Sequence, residues 1–458
     1  MSASSAEQLS IESITITSDR FLNKELDVTG IVDSIVVYEN ITMPYLTGYM
    51  LIFDDNDLFS SANLMGTERV EFTFKSALPI NNLQEEITKT FIITSIDSHK
   101  HNDGVALLQC GLIEDHGYAD GLIRLAKSYS GSGEEIISNI CKDQFGKNVQ
   151  FKFGSNTQTN KKSLQGDMKY LVPYISPLEA CSNVCSRMCT DTYLPFFLFS
   201  SLYSDDLILT DLETILTTAP FNEDKPFVFS QGETINRPRD LESEMYVLNS
   251  FAAASNEDTL SMAQLGAIGS QYIHTNFTTG EADLRHVKVT EAIQALVDRG
   301  IVDTDHVVSL MDNLFIPQPT KTIGGLDQYN SAVFSLPTTS PYGDIFSLSE
   351  SQGRQEGASR ILKRGILAHM TKNMFNISGP GMVYTVKDLD RSVGNQINLT
   401  ILKNVMVGAN RDGLAKVPDN KTSGYFVMTA KKYSFDVRDQ LCTYTAECAR
   451  LTNKKKVN

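Results

Sequence analysis

Over the first 115 residues, large apolar side chains recur at every second position in short runs separated by polar or glycine-bearing turns. The runs are ITIT (14–17), IVDSIVVY (31–38), GYMLIF (48–53), VEFTF (70–74), FIITSI (91–96) and VALLQC (105–110). In VEFTF, Val70, Phe72 and Phe74 alternate with Glu71 and Thr73. A strand points successive side chains to opposite faces, so this series predicts sheets with one buried and one wet face, an antiparallel sandwich or barrel.

From about residue 130 the period lengthens. In GSGEEIISNICKDQF, Ser132 can cap a helix whose Ile136, Ile137, Ile140 and Cys141 recur at helical spacing. In ISPLEACSNVCSRMCTD, Ser176 is an N-cap candidate, Pro177 suits the first helical position and Glu179 completes a Ser-x-x-Glu box. YLPFFLFSSLYSDDLILTDLETI then reads as two apolar strands with a turn at Ser204-Asp205-Asp206. Strand-like MYVL and QYIHTNF flank a helical SMAQLGAI, and helices are expected at 290–300, 303–315 and 358–370. The stretch 316–352, rich in Pro, Gly, Ser and Thr, predicts an irregular excursion. The chain closes with expected strands MVYTV, INLTIL, GYFVMTA and LCTYTAEC.

The two ends echo each other. Val70, Phe72 and Phe74 of VEFTF correspond to Ile397, Leu399 and Ile401 of INLTI. Phe91 and Ile93 of FIIT correspond to Phe426 and Met428 of FVMT, and Gln109-Cys110 to Glu447-Cys448. Strand composition alone makes each match cheap. Their common order predicts a duplicated β domain, of which a trimer would present six copies in a ring.

Composition narrows the function class. The chain has 458 residues, 41% hydrophobic and 21% charged, long enough for about three domains. A net charge of −15, with no basic run beyond Lys454-Lys455-Lys456, argues against a nucleic-acid groove, which needs clustered cations. The polar start MSASSAEQLSIES lacks a signal pattern, and the most apolar window, YLPFFLFSSLY (193–203), is too short to span a bilayer. Folding in a cytoplasm without membrane insertion is the expectation. Seven dispersed cysteines then read as reduced thiols, and triplets such as Asn276-Phe277-Thr278 and Asn376-Ile377-Ser378 as unglycosylated.

Chemistry is sparse. No Gly-x-Ser-x-Gly elbow, Walker loop, Gly-x-Gly-x-x-Gly turn or His-Glu-x-x-His helix occurs. Asp54, Asp55 and Asp57 in DDNDLF lack the glycine and later Glu of a calcium loop and read as a turn. His99 and His101 adjoin the turn signal Asn102-Asp103-Gly104. Cys181, Cys185 and Cys189 cannot share one ion if all lie on one helix, since four residues rise about 6 Å. With Leu178, Val184 and Met188 they form an apolar stripe instead. No catalytic residue, cofactor or metal site is expected.

Taken with this element order, GYMLIFDDNDLFSSANLMGTERVEFTF (48–74) resembles the N-terminal barrel of the central baseplate hub proteins of contractile-tailed phages. GSGEEIISNI and SPLEACSNVCSRMCTDTYLPFFLF look like that family's middle unit. SQYIHTNFTTGEA (270–282), ASRILKRGILA and SGYFVMTAKKYSFDVRDQLCTYTAEC look like its second half. The resemblance implies a mainly β, α+β chain with two related antiparallel, tail-tube-like β-barrel domains, a small α/β unit and a helical insertion. The expected boundaries are 1–117, 118–215, 216–285 with 352–452, an insertion at 286–351 that departs from the family, and a basic tail at 453–458.

It also implies a non-enzymatic homotrimer of the virion tail, a ring between a sixfold tube and a threefold spike. Its partners would be the central spike protein, tail-tube or tube-initiator proteins and, as a further candidate, the tape-measure protein. The hub of a related contractile injection or secretion machine and, less favoured, a cytoplasmic enzyme with an unrecognised site are the alternatives.

Overall fold

The computed structural model describes residues 5–20, 25–54, 63–79, 84–100, 106–152, 167–230, 240–255, 259–264, 266–276, 280–302, 332–338, 346–347, 350–406, 414–419 and 422–451. Asp55, Asp57, His101, the 303–315 helix and the basic tail lie outside them.

Seven strands open the chain: β1 (Leu9–Thr17), β2 (Glu25–Asp27), β3 (Val32–Asn40), β4 (Thr47–Asp54), β5 (Arg69–Ser76), β6 (Ile87–Lys100) and β7 (Ala106–Glu114). They pair antiparallel in the order β3-β4-β7-β6-β5-β1-β2. The alternation read from the sequence is the cause: Val70, Phe72 and Phe74 are fully buried, whereas Glu71 between them is exposed. Thr73, read as wet, is covered too, and its hydroxyl meets that of Thr88 at 3.0 Å across the ladder.

The middle unit comprises α1 (Asp115–Leu122), β8 (Ser128–Gly131), α2 (Gly133–Phe145), β9 (Val149–Lys152), β10 (Met168–Leu171), α3 (Pro177–Arg187), β11 (Phe196–Ser201), β12 (Ser204–Asp211) and α4 (Leu212–Thr217). Strand β12 pairs antiparallel with β11 and parallel with β9. Ser132 and Glu135 form a reciprocal capping box, and Ser176 Oγ accepts from the Glu179 N–H at 3.3 Å.

Two expectations need correction here. Helix α3 ends before Cys189: Met188 is extended, and Cys189 bridges Pro195. The cause is tertiary, because Lys363 donates to the carbonyls of Ser186 and Met188 and so satisfies the helix end. The stripe survives as packing, with Leu178, Cys181, Val184 and Met188 buried and Cys141 Sγ lying 3.9 Å from Cys181 Sγ. The β11–β12 turn falls at Leu202-Tyr203 rather than Ser204-Asp205-Asp206. Both turn residues are buried against the large sheet, so the turn is apolar where a solvent turn would be polar.

The last part contains β13 (Phe227–Ser230), α5 (Leu241–Glu244), β14 (Ser250–Ser255), α6 (Thr259–Gln264), β15 (Gly269–Asn276), β16 (Glu281–Lys288), α7 (Val289–Asp298), β17 (Ala332–Thr338), β18 (Phe346–Ser347) and α8 (Glu350–Lys372). It ends with β19 (Asn373–Pro380), β20 (Gln396–Met406), β21 (Leu414–Pro418), β22 (Gly424–Asp436) and β23 (Leu441–Ala449). MYVL makes only the single parallel bridge Val228 to Val247, beside β13, and MVYTV begins with a 3-10 turn at Met382–Tyr384. The stretch read as irregular holds β17, which runs parallel to β15, and β18, which pairs with β10. Sequence reading missed them because their ladders join segments distant in the chain.

Strands from both ends form one 14-stranded sheet in the order β14-β19-β23-β22-β3-β4-β7-β6-β5-β1-β2, with β20, β13 and β21 branching from β22. The predicted pair of barrels is therefore a continuous, mainly antiparallel sheet, joined where β22 pairs with β3. One apolar cluster runs beneath both halves, including Phe72, Phe74, Phe426 and Phe435.

Candidate functional site

Among the described residues no three His, Cys, Asp or Glu side chains are grouped to hold a metal ion. No helix is long and apolar enough to cross a membrane among them. What the fold builds with care is the seam between its two sheet halves.

The ten strand residues singled out in the sequence are all buried in the shared core: Val70, Phe72 and Phe74 on β5, Phe91 and Ile93 on β6, Ile397, Leu399 and Ile401 on β20, and Phe426 and Met428 on β22. Their ladders have matching registers. Val70 faces Phe91, and Ile397 faces Phe426. A β-bulge interrupts β6 against β7 between Ile93 and Ser95, and another interrupts β22 against β23 between Met428 and Ala430. Ile93 donates its N–H to Glu68 O at 2.9 Å, and Met428 donates to Asn395 O at 3.0 Å.

Further out, Met50 pairs with Cys110 and Ile35, and Ile377 pairs with Ala446 and Phe251. The series β3-β4-β7-β6-β5 thus has the same order as β14-β19-β23-β22-β20. The match of Cys110 to Cys448 is displaced by two residues: Leu112 faces Ile93 as Cys448 faces Met428. A slip of two keeps the same face of a strand, so periodicity could not detect it. Beyond these strands the halves differ, β1 running antiparallel to β5 and β13 parallel to β20.

At the seam, Lys431 on β22 faces Glu39 on β3, both with fully buried side chains and Nζ 3.8 Å from Oε2. Glu39 also accepts from Ser392 Oγ at 2.6 Å and Tyr433 OH at 2.9 Å. Lys431 donates to Arg391 O and lies 4.1 Å from the centre of the Tyr384 ring and 4.8 Å from that of Tyr433. Tyr203, from the middle unit, meets Tyr433 OH at 3.1 Å and donates to Tyr384 O at 2.9 Å. Burial pushes the Lys431 ammonium down to about 8 against the opposing pull of Glu39, and it raises the hydroxyls of Tyr203, Tyr384 and Tyr433.

A second buried joint ties the sheet to the middle unit. Lys89 Nζ lies 3.4 Å from Glu114 Oε1 and donates to Ser204 O, while Ser200 Oγ donates to Glu114 at 2.6 Å. Both joints went unread in the sequence. One signal was available at the seam: in GYFVMTAKKYSFD the buried Phe426 and Met428 have even numbers, Lys431, Tyr433 and Phe435 odd ones. That change of phase marks the bulge and turns one lysine of the pair inward.

The buried thiols set a pH dependence. Burial raises Cys110 to about 12 from 9.0 and pushes Cys442 and Cys448 up as well. A raised folded value means stability present below pH 9 and lost as pH rises, at up to ~1.4 kcal/mol per unit per thiol. Lys431, lowered from 10.5 to about 8, acts oppositely, because between those values the unfolded chain holds the extra proton. Denaturant midpoints are expected to fall between pH 8.5 and 10.5, and Lys431→Met to steepen the fall. A flat profile would contradict the assignment.

No family model matches this sequence, and no curated protein matches it. Among solved structures, the tail protein from Neisseria meningitidis MC58 is similar over 96% of this chain and 96% of its own, with a TM-score of 0.50 and 10% identity. The 43 kDa tail protein of prophage MuSo2 from Shewanella oneidensis is similar over 97% of this chain and 100% of its own, with a TM-score of 0.49 and 8% identity. The Francisella PdpA-VgrG complex contains a chain similar over 99% of this one and 59% of its own, with a TM-score of 0.46 and 10% identity. The first of these likenesses shows a shared fold, that of the Neisseria structure.

Proposed function

We propose that the chain is a structural hub of a contractile phage tail. In this reading it is a homotrimer whose two related sheet halves, residues 1–117 and 216–285 with 352–452, form a pseudo-sixfold ring. The carrying observation is the matched register and matched bulge in the two halves, joined in one sheet through β22 and β3. A chain containing one pattern twice in tandem presents six near-equivalent units when three copies assemble about a threefold axis. Such a ring suits a junction between a sixfold tube and a threefold spike, and the tail-protein fold supports that setting.

Its role is mechanical rather than chemical. The buried Lys431–Glu39 pair and the aromatic packing at the seam hold the halves in one orientation, as a collar that transmits force requires. Its partners are the central spike on one side and tube or tube-initiator proteins on the other, with the tape-measure protein inside, and its location is the virion tail baseplate.

Native mass spectrometry of the purified chain is expected to give three times the monomer mass, and class averages in the electron microscope a ring with threefold symmetry. A monomer at all concentrations would remove the proposal.

A further inference from the structure

A cleft of about 450 Å³ opens where α3, β11, α8 and the turn between β3 and β4 meet. Its apolar walls come from distant parts of the chain: Pro44 from the turn, Leu178 from α3, Phe197 from β11 and Leu367 from α8. Pro44, Phe197 and Leu367 are only partly covered by the protein itself, so apolar surface remains for a ligand to bury.

One wall is charged. Arg360, Lys363 and Arg364 stand at i, i+3 and i+4 on α8, and all three line the cleft. Among the described residues no carboxylate lines it, although acidic residues outnumber basic ones 55 to 40 in the chain. The cleft thus reverses the charge of the molecule locally. Lys363 is buried and fixed, donating to the carbonyls of Ser186 and Met188 where α3 ends. Arg360 is half-buried and Arg364 exposed, so the Arg364 guanidinium can turn to an incoming anion without breaking buried packing.

We propose that this cleft binds a small amphipathic carboxylate of the fatty-acid class. The hydrocarbon body lies against Leu178, Phe197 and Leu367, and the carboxylate meets Arg364, with Arg360 and Lys363 adding to the positive field. Small-molecule sites have this make-up, a largely apolar concavity of about 300–1,000 Å³ with a few convergent polar groups. The charged wall selects the head group: a carboxylate offers two oxygens in the plane that a guanidinium fork matches, and an aliphatic cation would meet three like charges. A ligand seated there touches the sheet turn, the middle unit and α8 at once and ties them together. The site lies within a single chain and goes beyond the ring reading without depending on it.

Isothermal titration calorimetry of the full chain with decanoate, kept below its micelle-forming concentration, tests the site. A single saturable event per chain is expected. Butyrate, with the anion but little body, and 1-decanol, with the body but no anion, should each bind at least about tenfold more weakly. Arg364→Gln keeps the side-chain stem at an exposed position, and should weaken decanoate roughly ten- to a hundredfold while leaving 1-decanol unchanged. Ser182→Phe, at an exposed position of α3 on the cleft, should weaken both by filling it. Lys169→Glu, an exposed cation outside the cleft, should change neither. Unchanged urea midpoints establish that the variants are folded, and Arg364→Gln decides the matter alone if Ser182→Phe is not.

Equal affinity for decanoate and 1-decanol, or undiminished decanoate binding by Arg364→Gln, would overturn the anion site. Binding that survives Ser182→Phe would overturn the assignment to the cleft, and an equal loss in Lys169→Glu would reduce the effect to net charge. Absence of saturable binding would remove the proposal and leave the ring reading, which native mass tests, untouched.

Discussion

Replacing Lys431 with alanine is expected to lower the unfolding free energy by about 3–5 kcal/mol, the cost of leaving one member of a fully buried ion pair without its partner. Both Lys431 and Glu39 are inaccessible to water, so neither charge can be screened when the other is removed. Ser392 and Tyr433 would still donate to Glu39, but neutral donors do not replace a counter-charge. The Tyr384 ring would also lose the cation lying 4.1 Å from its centre. Glu39→Gln combined with Lys431→Met keeps the volume and discards both charges, and should recover most of the loss. With no tryptophan in the chain, tyrosine fluorescence in a urea titration is the natural readout. A single-mutant loss below about 1 kcal/mol would mean that water reaches the seam.

Phe435→Ala should cost a similar amount, about 3–5 kcal/mol, through transfer and cavity terms together. Phe435 lies on β22, in the second half of the sheet, and its ring meets Phe72 and Phe74 of the first half at 5.1 and 4.9 Å. It also stacks on Tyr433, a donor to Glu39, with ring centres 6.1 Å apart. The cavity would thus open under the seam, where strands of both halves must move together to fill it. A cycle with Phe72→Ala should be non-additive by about 0.5–3 kcal/mol, as for residues in direct contact. Strict additivity would show that the two halves pack independently, against a shared core.

How much was legible follows from which signals are local. Strand periodicity marked β3 to β7 within a few residues, because each has one face in the core and a side-chain period of two survives any change of partner. Cap chemistry at Ser132 and Ser176 located two helices, since the bonds involved span three residues. The similarity of VEFTF to INLTI was visible for the same reason. It was blind to slips of two, which is how Cys110 came to be matched with Cys448 instead of Leu112.

By itself the sequence determined the mainly β class, the start of the helices and the face each strand turns inward, all consequences of short-range sterics and apolar burial. Tertiary structure alone decided that the halves share one sheet, that α3 stops before Cys189 because Lys363 closes its end, and that Lys431 meets Glu39. Those contacts join residues more than a hundred positions apart, and their energies come from desolvation and ladder pairing that exist only once the distant segments are side by side.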